Sequence, residues 1–180
     1  MPFAVKSCLD VVFWLSDRAL NDGEYIQPQK LHRLLFLAQA YYSVAYPGKK
    51  LMPATFVTDT FGPIEPTIYH ALAFGRPHMI EPNPMPGDVT HFLDGIWRRF
   101  GQYKSDQLTK RVAEHAVVAE AMAKGVGEEI PFEAIVTFYG AEAASRRNLP
   151  GVEQVVRPRV LRSQTGKPVA VTSWRPKTVK

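Results

Sequence analysis

One cysteine, Cys8, stands in a chain of 180 residues. That count excludes an internal disulfide and any metal site built from clustered cysteines. Long apolar runs are missing too: residues 11–15 form a stretch of only five, between Asp10 and the pair Ser16-Asp17. A membrane-spanning helix needs roughly 20. A single lysine precedes that stretch and no small-residue cleavage site follows it, which argues against a secretory leader. The expectation is a soluble, cytoplasmic protein of a reducing compartment that needs no membrane. Familiar catalytic signatures are lacking as well. There is no G-x-S-x-G elbow, no phosphate-binding glycine loop, no H-E-x-x-H and no EF-hand loop. The five histidines (His32, His70, His78, His91 and His115) include no pair at the spacing of a helix-borne metal site. The sequence therefore nominates no catalytic residue, no metal ligand and no cofactor.

What is present is the material of a core. Hydrophobic residues make up 46% and charged residues 22%, the balance of a globular domain. The net charge of +5 conceals a partition. Residues 141–180 carry nine Lys/Arg against Glu142 and Glu153, a net +7, whereas residues 1–140 carry thirteen against fifteen, a net −2. The basic character belongs to the last forty residues. Such an extension suits an acidic partner surface or a phosphate backbone, or serves as a solvated tail.

Punctuation by Gly and Pro divides residues 1–140 into helices. Residues 7–20 are apolar at Cys8, Val11, Val12, Leu15 and Ala19, and Asn21-Asp22-Gly23 stops the run. Residues 28–46 carry the strongest period, at Leu31, Leu34, Leu35, Ala38, Tyr41, Tyr42 and Ala45, opened by Pro28 and closed by Pro47-Gly48. Apolar residues occupy more than half the circumference, which predicts a central helix. Residues 55–61 are β-branched and aromatic and read as a short extended piece. Gly62-Pro63 is expected to break it, Pro63 to open a third helix running to about Phe74, and Gly75 to cap that helix. Four prolines in residues 76–88 forbid regular structure. Further helices are expected over residues 89–100, 106–124 and 131–140. The reading is a mainly α fold: one compact helical domain over residues 1–140 with a short β segment, then a basic extension over 141–180. In that extension residues 155–161 and 168–173 alternate β-branched and basic residues around Gln164-Thr165-Gly166-Lys167, the pattern of a β-hairpin.

Single residues admit bland readings. Cys8 lies on an apolar helical stripe, where a small buried hydrophobe outweighs a nucleophile. Asp10 and Asp17, seven apart on the same helix, read as solvated surface carboxylates. Gln39 sits beside the core stripe, and its amide needs partners, expected among backbone groups of residues 55–63. Gly62 permits a close backbone approach. Tyr69 is expected to bury its ring and keep its hydroxyl bonded.

Two segments are more specific than any of these. One is the Pro-opened run from Ile26 to Tyr42 that contains Pro28, Lys30, Leu31, Leu34, Leu35, Ala38 and Gln39, in the form K-L-x-x-L-L-x-x-A-Q. The other is Phe61-Gly62-Pro63-Ile64-Glu65-Pro66-Thr67-Ile68-Tyr69-His70, in the form G-P-[IV]-x-P-x-[IL]-Y. Their order resembles the Panacea domain of SocA-like antitoxins and of phage-associated proteins of mobile elements. The resemblance covers about residues 5–140, and residues 141–180 have no counterpart. It implies a non-enzymatic antitoxin of a toxin–antitoxin system, which neutralises a cognate protein toxin by direct contact and in some members acts as an adaptor to a protease. The motif residues themselves, Tyr69 and His70 among them, have folding reasons to be where they are and read as scaffold.

Partner specificity is expected in the extension. Val and Arg alternate over residues 155–162; such a segment can add to a partner's sheet edge, with Arg157, Arg159, Arg162, Lys167 and Trp174 at the contact. Arginine suits an acidic rim because it pairs bidentately with carboxylates. The competing reading is a nucleic-acid-associated protein of a phage or other mobile element, with the same basic residues on phosphates.

Overall fold

The computed structural model describes residues 2–76, 80–147, 161–162 and 168–169. The chain divides into two compact units, Met1–Ala141 and Glu142–Lys180. Its elements are mainly helical, as the periodicity predicts.

Helix α1 spans Cys8–Asn21. Ser7 caps it: the hydroxyl accepts from Leu9 N at 3.1 Å, and Ser7 N donates to Asp10 Oδ2 at 3.2 Å. The reciprocal pair satisfies two backbone donors that the first turn leaves open. The stripe Cys8, Val11, Val12, Leu15 and Ala19 is buried as expected. Helix α2, Pro28–Ala45, begins with Pro28 at its first turn and packs against α1 and two later helices, at Gly87–Phe100 and Ser105–Ala113. Leu34, Leu35, Phe36, Ala38 and Ala40 have no exposed surface. This helix is buried nearly all round, which is why it forms the centre of the core.

The segment after it departs from the expectation. Strand β1, Phe56–Asp59, is followed by a second strand, β2, Gly62–Ile64, and the two pair antiparallel with Asp59 opposite Gly62. Gly62-Pro63 thus lies within a hairpin and opens no helix. Pro63 is tolerated because β2 is an edge strand, with β1 between it and a third strand at Glu129–Ile130, so a missing N–H breaks no ladder. Helix α3 starts later, at Pro66, and ends at Ala71. Glu65 caps it through Oε2, which accepts from Ile68 N at 2.6 Å. Gly75 lies beyond the helix cap at Leu72, in a turn with φ +94°.

Helix α4 spans Gly87–Phe100. The helix expected over 106–124 is two, α5 (Ser105–Ala113) and α6 (Ala116–Lys124). The reason is phase. At about 100° per residue, Val117, Val118 and Ala121 would lie roughly 120–180° round from Val112 in a continuous helix. The extended His115 (φ −69°, ψ 126°) resets the phase so that all of them, with Val112, are buried. Its Nδ1 lies 2.6 Å from Tyr139 Oη.

Strand β3, Glu129–Ile130, pairs with β1, Phe56 opposite Ile130. Helix α7 runs Phe132–Arg147, through Gly140 where the sequence reading ends it. The residues that follow, Ala141-Glu142-Ala143-Ala144, are strong helix formers that carry the helix past one glycine. In the second unit β4, Leu161–Arg162, pairs antiparallel with β5, Pro168–Val169. The remaining residues of the anticipated hairpin lie outside the described residues.

Candidate interaction surface on the hairpin and the third helix

The motif residues of α2 and of the hairpin meet through a side chain that neither motif specifies. Arg33 is fully buried, and its guanidinium donates from Nη2 to Phe61 O at 2.7 Å and from Nη1 to Pro63 O at 2.6 Å. These carbonyls flank Gly62. A Cβ on Gly62 would stand 3.3 Å from Arg33 Nε, and the backbone there has φ +124°. Glycine is required twice over, by conformation and by contact. No carboxylate bonds Arg33 among the described residues, and its Nε lacks a hydrogen-bond partner. Burial lowers its pKa to about 10, with Asp59 pulling the other way. The charge is held by two backbone carbonyls, which also closes part of the open edge of β2.

The neighbouring His32 secures the next turn of chain. Its Nδ1 accepts from Glu65 N at 3.3 Å, so this nitrogen carries no proton. Burial, and then the charge of Arg33, depress its pKa to about 4. Glu65 in turn caps α3. Arg33, His32 and Glu65 therefore anchor the hairpin and α3 to the central helix. On that frame Phe61 at the hairpin turn and Tyr69 on α3 are each a little over half exposed. Tyr69 lies 6.2 Å from the His32 ring and 5.7 Å from the His70 ring, between centroids. The ring of Tyr69 is thus outside the core, contrary to the sequence reading, because Ile68 takes the inward position of this short helix. His70 is exposed.

The other motif residues divide between core and scaffold. Leu31, Leu34, Leu35 and Ala38 are core, and Pro28 is an exposed helix start. Lys30 is buried; its Nζ donates to Gly101 O and Glu24 Oε1, each at 2.5 Å, and lies 5.4 Å from the Trp97 ring. Gln39 does not reach residues 55–63: its Oε1 accepts from Met52 N at 3.2 Å, and its Nε2 has no partner among the described residues. Asp10 is not a solvated carboxylate either, being buried and bonded to Asn83. Asp17 does remain at the surface, ion-paired with Arg76.

Cys8 is buried, its Sγ donating to Pro53 O at 3.2 Å, and burial pushes the thiol up to about 12. It is a thiol at any ordinary pH. Among the described residues no three His, Cys, Asp or Glu side chains gather as a metal site requires. No helix among them is long and apolar enough to cross a membrane. Arg162 lies in β4 opposite Pro168, while Arg157, Arg159, Lys167 and Trp174 lie outside the described residues.

Sequence reasoning passed over Arg33, His32 and Glu65, which occupy the unspecified positions of the two motifs. A signal existed: three charged or titratable residues, Lys30, His32 and Arg33, within a helix apolar on most sides must be buried unless they share one face. No family model matches the chain, and no curated protein and no solved structure matches it.

Proposed function

We propose that this chain is an antitoxin-like binding protein that neutralises a partner toxin by direct protein–protein contact. The observation that supports the reading is the display of Phe61 and Tyr69 on elements clamped to the core by Arg33 and Glu65. Exposed aromatic side chains on a rigid frame are the usual anchors of protein interfaces, since they bury much area at little entropic cost. The order of the two motifs that build this frame adds the Panacea-like resemblance to the same conclusion. Delivery of the toxin to a protease is a variant of this function, and the basic residues of 141–180 would supply further contacts to an acidic partner.

The test is co-expression with the product of the adjacent open reading frame. The expected result is growth arrest by that product alone, rescue by this chain and co-purification of the two. Phe61→Ala with Tyr69→Ala should abolish rescue in a protein that melts like the parent. Absence of both rescue and co-purification would reject the function. Loss of duplex-DNA binding alone, on neutralising Arg157, Arg159 and Arg162, would favour the nucleic-acid reading suggested by the charge partition.

A further inference from the structure

The helical domain is acidic overall, yet its cations are not evenly spread. Residues 98–111 hold five Lys/Arg and one acid, Asp106; the rest of residues 1–140 hold eight against fourteen. This stretch is the end of α4, its link to α5, and most of α5. Two of the five cations have acidic neighbours. Arg98 pairs with Asp94, and Lys110 stands four residues from both Asp106 and Glu114. Arg99, Lys104 and Arg111 have no carboxylate within 4.0 Å among the described residues.

Aromatic rings hold two of these three in place. The Arg99 guanidinium lies 4.9 Å from the Tyr41 ring and 5.0 Å from that of Phe100; Arg111 lies 4.8 Å from the Tyr103 ring. Tyr103 N donates to Phe100 O at 3.2 Å, so the two stacks belong to one turn of chain. Lys104 and Arg111 are two helical turns apart and share a face. Stacking restricts a guanidinium while leaving its N–H edges able to donate in the ring plane, the geometry that phosphate oxygens accept.

We infer that this α4–α5 corner is a second interaction surface, one that binds the phosphate backbone of a nucleic acid through Arg99, Lys104 and Arg111. An acidic protein would meet the same charges, but protein interfaces centre on apolar side chains. Among the described residues no large exposed hydrophobic side chain belongs to α4, α5 or their link. Contact with phosphates needs no apolar centre and reads no sequence. The inference is independent of the antitoxin reading.

The experiment is fluorescence anisotropy of the full chain with a labelled 20-base-pair duplex between about 50 and 200 mM salt, where counterion release gives a slope of log K against log salt near −0.9 per phosphate contact. The triple variant R99A/K104A/R111A should flatten that slope by up to about 2.7. Because Arg99 and Arg111 also pack on rings, Lys104→Glu serves as a second variant. Lys104 is exposed, so the fold should be unchanged and the slope should fall by about 0.9. Unchanged slopes in both variants would overturn the inference. So would loss of a protein partner's binding with the DNA slopes intact, since that would make the corner a protein site.

Discussion

Asp10 accepts two hydrogen bonds at one oxygen from Asn83, 2.8 Å from the backbone amide and 3.2 Å from the side-chain amide, across a separation of 73 residues. Its other oxygen accepts from Ser7 N. One buried carboxylate thereby caps the first helix and fastens the proline-containing stretch that precedes α4.

Replacing it tests both roles. Asp10→Ala should cost about 2–4 kcal/mol, the sum of a lost cap and amides left unpaired. Asp10→Asn keeps an acceptor and should cost less than half as much. Thermal unfolding of the two variants measures the difference; equal losses would show that the charge, and not the accepted bonds, matters.

Arg33 and Gly62 form one fitted pair. Gly62→Ala puts a methyl 3.3 Å from Arg33 Nε at φ +124°, and should cost about 1–3 kcal/mol in strain. Arg33→Lys keeps a charge but cannot serve both carbonyls from one planar fork, and should destabilise by a similar amount. The double variant should lose less than the sum, because Lys removes the atoms that the new methyl meets. Urea unfolding of the four proteins gives the coupling; strict additivity would mean that the two residues act separately.

His32 should make stability depend on pH. Its folded pKa of about 4 lies below the ordinary 6.5. The unfolded chain therefore takes up a proton that the folded chain refuses. The contribution is complete above about pH 6.5, falls as the pH drops, and is exhausted near pH 4, amounting to about 3 kcal/mol over that window. His32→Asn offers an amide oxygen to Glu65 N and does not titrate. Its melting temperature should be flatter between pH 4 and 6.5 than the parent's, and an identical profile would sink the assignment.

Cys8 should resist a thiol reagent in the folded protein and react once in denaturant, because the group is buried and held as a thiol. Rapid labelling of the native protein would contradict the burial. Cys8→Ala should cost about 1 kcal/mol, the scale of a small core truncation plus one weak hydrogen bond.

Local pattern carried much of this molecule. The stripe from Cys8 to Ala19, the all-round apolarity of α2 and the prolines of residues 76–88 are properties of neighbouring residues, and helices are built from neighbouring residues. The break between α5 and α6 was also legible, in the jump of phase from Val112 to Val117 and Val118. The site was legible only as two motifs. Gly62 announced a close approach without naming what approaches.

The sequence by itself determined the helical class, the core stripes and the concentration of positive charge after residue 140. Tertiary structure decided the rest. Phe56 pairs with Ile130 across the chain, and no local rule selects partners at that separation. Pro63 became strand because Arg33, thirty residues earlier, takes its carbonyl. Tyr69 faced outward because α3 is six residues long and Ile68 had the single inward place. In each case the outcome turned on which distant group could satisfy a buried polar atom or fill a fixed volume, and that is settled only when the chain is packed.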